Sequence, residues 1–263
     1  MKKALVCVLA FAILLCGCSI FEKNEVAKTQ VDAPESEVES SLKEKPEKKS
    51  PLDGKVIVVD PGHGINSYTK QEAIAPNSSE TKSAFVSGTR GANLTEEQLN
   101  LMVALKLQEA LLEKGAVVHM TRTVHKCDVS NIDRAELGNK VNADISVKLH
   151  ADGNNSPAVS GVSMLVPGST YITDAELIKK SRRAGELVLE EFIAQTNAKN
   201  RGISVRNDMT GFNWSKVPVI LLEMGFMTNP EEDKLLESDE YQNKMVTGIV
   251  TGLERYFSPE AEQ

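Results

Sequence analysis

Apolar positions along the chain cluster into runs separated by polar, turn-rich segments. Five runs are strand-like: "KVIVVD" (55–60), "AVVHMT" (116–121), "DISVKLH" (144–150), "GVSMLVP" (161–167) and "VPVILLE" (217–223). Most are continuously apolar, as expected for strands covered on both faces. Between them the period becomes helical. Leu99, Val103, Leu107, Ala110 and Leu111 share one face, Thr95 and Gln98 form a capping-box start, and Gly115 provides a stop. Ser130 and Thr173, each with an acid three residues on (Asp133, Glu176), predict two more helix starts, and a last helix is predicted from about 239 to 257. Strands alternating with helices predict the α/β class, one sheet between helical layers. The polar stretch from Ile65 to about Asn93 fits neither period. A loop that long inside a compact domain is usually functional or mobile.

The first fifty residues have a different character. Lys2 and Lys3 precede the apolar run "ALVCVLAFAILL", which ends in "LCGC". This is the layout of a secretion signal; an uncleaved membrane anchor is the alternative. The Leu-x-Gly-Cys ending resembles the lipobox of bacterial lipoproteins, which implies that Cys18 is the lipidation site and residues 1–18 the signal. Cys16 stands where a small residue is usual. Residues 19–52, containing "KTQVDAPESEVESSLKEKPEKKSP", have few large apolar side chains and many charges of both signs. Such a segment cannot bury enough surface to offset its ordering entropy and is expected to be a disordered tether. Its end-to-end distance would be about 30 Å. Residues 53–258 then form a single folded domain with a sizeable core, and 259–263 a short tail. The expectation is an exported, lipid-anchored, monomeric protein on the extracytoplasmic face.

Charge and cysteine content narrow the chemistry. The formal net charge is −7, so nucleic acid is not an expected partner, and an anionic polymer would have to be engaged locally. Cys127 is the single cysteine of the folded part, which rules out a disulfide framework there.

Three strand-like runs finish in chemically capable residues: Asp60 and His63 after the first, His150 at the third, and Glu223 at the fifth. Ligand sites in open α/β sheets gather at such carboxyl ends. Glu96 lies in the first turn of the helix after Thr95. Two imidazoles and a carboxylate with an open fourth position make a common catalytic zinc set, and a further carboxylate would serve as general base. Each residue also has a plainer reading. A strand-end histidine is often only hydrogen-bonded, and acids favour a helix's first turn through its dipole. Glu223 after "PVILL" is costly to bury unless paired, protonated or useful. Asp60 either orients a ligand imidazole or forms a turn with Pro61. Asn213 and Trp214, in "GFNW", either meet substrate or cap a hydrophobic cluster. Arg90 and Arg122 are open between substrate carboxylates and solvated or structural roles. His119 and His125 are taken as structural or solvated.

Four segments, in order, resemble the zinc-dependent N-acetylmuramoyl-L-alanine amidases of the amidase type 3 class. "VVDPGHG" is similar to the first-ligand motif, and "TEEQLNLMVALKLQEALLEKGAVVHMTR" to the E-x-x-x-N-L helix and following strand. "DRAELGNKVNADISVKLHADG" is similar to the R-x(4)-N-x(2)-A-D segment with its His-Ala motif, and "VPVILLEMGFMTNPEED" to the E-x-G-F-x-(S/T)-N block. The resemblance covers about 54–257. It implies a mixed, mostly parallel sheet of about six strands flanked by helices. It implies one zinc per domain, held by His63, Glu96 and His150, with Glu223 as the catalytic carboxylate and Asp60 a neighbour. The implied substrate is peptidoglycan, cut between N-acetylmuramic acid and the L-alanine of the stem peptide. A zinc peptidase acting on stem-peptide bonds and a non-catalytic cell-wall-binding lipoprotein are the alternatives. The segment between His63 and Glu96 is longer than in compact members. Glu96 is therefore placed by its spacing to Asn100, with Glu97 and Glu80 as alternatives.

Overall fold

The computed structural model describes residues 49–65 and 69–259. The signal, Cys18, the tether up to residue 48 and the last four residues of the chain lie outside the described residues.

In chain order the elements are β1 (Val56–Pro61), β2 (Gln71–Ala73), β3 (Thr81–Ser83), α1 (Glu96–Glu113), β4 (Val117–Met120), α2 (Asn131–Lys140) and β5 (Ile145–Asp152). There follow β6 (Val162–Pro167), α3 (Ala175–Thr196), β7 (Asn200–Arg206), α4 (Thr210–Asn213), β8 (Val219–Phe226), α5 (Pro230–Glu237) and α6 (Asp239–Phe257). Six strands form the main sheet in the order β4-β1-β5-β8-β6-β7. All neighbours are parallel except β6 against β8. The fold is thus the α/β class with the mixed, mostly parallel six-stranded sheet.

Successive side chains of a strand point to opposite faces, and the two faces of this sheet differ. Ile57 and Val59, Ile145, Val147 and Leu149, and Ile220, Leu222 and Met224 join the large core under α1, α3 and α6. The alternate positions Val58, Val219 and Leu221 face thinner clusters, in which Phe212 of α4 and Val217 take part. By the same parity Asp60, Lys148, His150 and Glu223 belong to the thin-core face. A site can open there without exposing the main core.

The capping residues behave as their chemistry requires. Thr95 N donates to Gln98 Oε1 at 2.9 Å, and Ser130 and Asp133 complete a reciprocal box. At α3 the cap is Asp174, one residue later than the expected Thr173; its carboxylate accepts from Glu176 N and Leu177 N. The 65–93 stretch is not featureless. It contains the antiparallel hairpin β2–β3, pinned to the domain at many points. Asn131 Nδ2 donates to Ala84 O, Ile132 N to Glu72 Oε2, Asn213 Nδ2 to Ile74 O and Trp214 Nε1 to Ala73 O. Among the described residues no helix is long and apolar enough to cross a membrane.

Candidate active site

Chain geometry brings three of the sequence-selected residues together. His63 follows β1, His150 lies near the end of β5, and Glu96 opens α1. Their ligand atoms form a nearly equilateral triangle: His63 Nε2 to Glu96 Oε1 is 3.0 Å, His150 Nδ1 to Glu96 Oε1 is 3.0 Å, and His63 Nε2 to His150 Nδ1 is 3.1 Å. Glu223 pairs in register with His150 across β5 and β8 and lines the same cleft of about 690 Å³.

Each corner is fixed by identifiable contacts. His63 has φ of 60°, a left-handed conformation uncommon for a residue with a side chain. Two buried arginines hold the backbone there. Arg122 donates from Nε to Pro61 O and from Nη2 to Gly62 O and Glu97 O. Arg134 donates from Nη1 to Pro61 O and from Nη2 to His63 O. His63 Nδ1 lies 2.7 Å from Val86 O, and a carbonyl only accepts, so Nδ1 carries the proton. Nε2 of the neutral ring then offers a lone pair to the triangle.

Gly62 allows His150 to approach. A Cβ at that position would lie 2.3 Å from the His150 ring atoms Cε1 and Nε2. Glu96 is oriented through both oxygens: Oε2 accepts from Thr89 N at 2.9 Å, and Oε1 from Asn100 Nδ2 and Ala151 N at 3.2 Å. The spacing of Glu96 and Asn100 therefore has a physical meaning. Residues four apart on a helix are stacked neighbours, so the amide steadies the carboxylate one turn before it. The alternatives lie elsewhere: Glu97 pairs with His125 Nδ1 at 2.9 Å, and Glu80 accepts from Tyr171 Oη.

The electrostatics favour a bound cation. Burial opposes the ionised form of Glu96, yet the two imidazoles outweigh it and hold the carboxyl well below the usual range. Burial pushes His150 down, with its bond to Glu96 only partly opposing. For His63 burial acts downward too, but Glu96 and the Val86 carbonyl prevail and raise it. With both rings neutral and their lone pairs turned inward, the two nitrogens and the carboxylate oxygen repel unless a positive centre lies among them. A shared proton supplies it in the metal-free protein, and a metal ion would replace that proton. A tetrahedral set at zinc distances of about 2.0–2.1 Å has edges of about 3.3 Å, so the observed triangle needs only a few tenths of an ångström of relaxation. The donor set fits zinc.

Glu223 has another role in the cleft. Its Oε2 is buried without a hydrogen-bond partner among the described residues. Burial pushes its carboxyl well above the usual range; Glu96 and Asp152 push the same way, and Arg206 opposes them.

Five other sequence-selected residues have different surroundings. Asp60 neither orients an imidazole nor makes a simple turn. It is 1% exposed, accepts from Arg134 Nη1 and Thr121 Oγ1, and pairs with Lys148 Nζ. Asn213 and Trp214 spend these donors on carbonyls of the hairpin segment, so they pin the insertion. Arg90 is exposed and is not among the residues lining the Glu223 cleft. Arg122 is consumed by backbone carbonyls, and Cys127 is a free thiol.

Sequence reasoning did not select Val86, Arg134, Lys148 or Asp152 as site neighbours. A signal existed for Lys148: a lysine inside the apolar run "ISVKLH" has to find an anion. Val86 acts through its backbone, to which side-chain patterns are blind.

Comparison with known proteins agrees with this geometry. Residues 57–255 match the family described as Amidase_3, N-acetylmuramoyl-L-alanine amidase. YqiI of Bacillus subtilis is 26% identical over 207 residues, spanning 79% of this chain and 87% of its own. The germination-specific N-acetylmuramoyl-L-alanine amidase of the same organism is 27% identical over 226 residues, spanning 81% and 84%. The crystal structure of the amidase Ami1 from Mycobacterium smegmatis superposes with a TM-score of 0.71 at 25% identity, covering 78% of this chain and 98% of that one. The chain belongs to the N-acetylmuramoyl-L-alanine amidase family, Amidase_3, and is a peptidoglycan amidase.

Proposed function

We propose that this amidase depends on zinc and hydrolyses the amide joining the lactyl group of N-acetylmuramic acid to L-alanine of the stem peptide. The observation that carries the reading is the triangle of His63 Nε2, Glu96 Oε1 and His150 Nδ1 with Glu223 in the same cleft. His63, Glu96 and His150 would hold the ion. When bound, zinc supplies Lewis acidity, polarising a carbonyl and lowering the pKa of a water toward ~7.

The remaining work falls to Glu223. An amide resists hydrolysis because its carbonyl is resonance-stabilised and its amine leaves poorly. Glu223 takes a proton from the attacking water and returns it to the departing nitrogen, acting first as base and then as acid. Burial and neighbouring carboxylates raise its proton affinity, which strengthens it as a base near neutral pH. Asn100, Thr89 N and Ala151 N keep Glu96 aimed, so its orientation is fixed in advance.

The signal-like residues 1–18, the lipobox-like Cys18 and the charged 19–52 segment support an enzyme exported and tethered to the membrane by lipid. Product analysis on purified cell wall tests the cleavage reading. Glycan with a free lactyl carboxyl and an intact released stem are the expected products. A shortened stem still attached to glycan would make the protein a peptidase. Zinc binding without any product would leave a wall-binding role.

A further inference from the structure

Two recesses of opposite charge open from His63 and His150. The Glu223 cleft is lined by three carboxylates, Glu96, Asp152 and Glu223, and by no lysine or arginine. The other recess, about 600 Å³, lies beneath the insertion. Its walls carry four cations, Lys82, Arg134, Lys148 and Arg206, against two carboxylates, Asp60 and Asp208. Arg134 and Lys148 are buried and committed to Asp60. Lys82 and Arg206 are 43% and 41% exposed and share one counter-ion, Asp208. The mouth of this recess therefore has an excess positive charge in a chain whose overall charge is negative.

Arg206 is built for carboxylate recognition. Nε and Nη2 each donate to Asp208 at 2.8 Å, the two-pronged geometry that guanidinium makes with carboxylates. Its Nη1 makes no hydrogen bond among the described residues. Phe85, Val86 and Met209 add apolar wall. Because the hairpin is pinned by side-chain bonds from α2 and the α4 segment, this wall is preformed.

We propose that the recess beneath the insertion seats the acidic stem peptide, with Arg206 and Lys82 recognising a stem carboxylate while the neutral, hydroxyl-rich glycan occupies the Glu223 cleft. The assignment rests on the amidase reading above and adds a direction to it. A stem carboxylate placed in the Glu223 cleft would meet only carboxyl groups there, Asp152 foremost, with no lysine or arginine lining the cleft to offset them, and like charges in a partly buried cleft repel strongly. Sugar hydroxyls carry no charge and donate to those same carboxylates. In the free protein Asp208 occupies the donors that a substrate carboxylate would use.

The test compares two muramyl peptides, one with free stem carboxylates and one with them converted to primary amides. The full zinc-loaded chain cleaves each, and kcat and KM are read separately. The free acid should be preferred by about tenfold or more, as for a charge-assisted hydrogen bond, mainly through KM. Arg206→Gln should collapse that preference toward one, and Arg206→Lys should restore part of it. Asp208→Asn, which removes the internal competitor, should lower KM for the free acid. Equal kcat/KM for both substrates with the wild-type chain overturns the assignment and leaves the amidase reading standing. An unchanged preference in Arg206→Gln, or a KM raised alike in Arg206→Gln and Asp208→Asn, also overturns it. Cleavage of neither substrate overturns the amidase reading, and this assignment with it.

Discussion

Replacing Gly62 by alanine tests whether the triangle depends on close packing behind it. Gly62 is not among the residues with positive φ, so the backbone accepts alanine and the effect is steric. The new Cβ would lie 2.3 Å from two atoms of the His150 ring and 2.7 Å from a third. Restoring ordinary contact requires the imidazole to retreat by about 1 Å, and metal–ligand distances tolerate only about 0.2 Å. His150 Nδ1 is the moving corner, 3.0 Å from Glu96 Oε1. Overpacking of this kind costs about 1–3 kcal/mol of stability. Zinc affinity should fall further, by about 10–100-fold, the range seen when the support of a ligand is disturbed. Equilibrium dialysis against buffered zinc, alongside a thermal melt of the metal-free protein, separates the two effects. Unchanged zinc affinity in Gly62→Ala would refute the claim that this contact positions His150.

Three more expectations follow from the scaffold. Asp60→Asn leaves Arg134 and Lys148 buried without their anion, which should cost about 3–5 kcal/mol in denaturant unfolding at neutral pH. The same variant reports on acid. Burial opposes ionisation of Asp60, but Arg134 and Lys148 prevail and hold its pKa well below the usual range. Its contribution is therefore complete above the unfolded value of about 3.9 and is lost as pH falls below that. The stability gap between wild type and Asp60→Asn should narrow below about pH 4; a gap independent of pH would contradict the assignment. Trp214→Phe removes the bond to Ala73 O, costing about 1 kcal/mol, and should speed proteolysis within 69–89 without changing zinc affinity.

Much of the site was legible because its residues sit where sequence patterns change. His150 and Glu223 each end an apolar run, and their registry follows from β5 and β8 being parallel neighbours. Glu96 was legible through Asn100 one helical turn later. The four-residue spacing put it ahead of Glu97, which stayed an alternative until the structure turned its side chain to His125. β7 was missed because "NRGISVR" is a half-exposed edge strand with no apolar run. Helix α5 was missed because it is short and begins at Asn229-Pro230 inside a motif noted for its chemistry. The role of Asp60 was misjudged because its partners, Arg134 and Lys148, come from α2 and β5, over seventy residues away. Local sequence shows that Lys148 needs an anion but not which carboxylate supplies it.

Glu223→Gln tests the central claim most directly, because it removes the proton carrier while keeping the shape of the side chain. Zinc content and release of stem peptide from purified peptidoglycan should be measured on the same preparation. The account predicts one zinc per chain, as in wild type, with release reduced by about 10²–10⁴-fold. Full release by Glu223→Gln, or loss of zinc with loss of release, would contradict a division of labour in which His63, Glu96 and His150 hold the metal and Glu223 moves the proton.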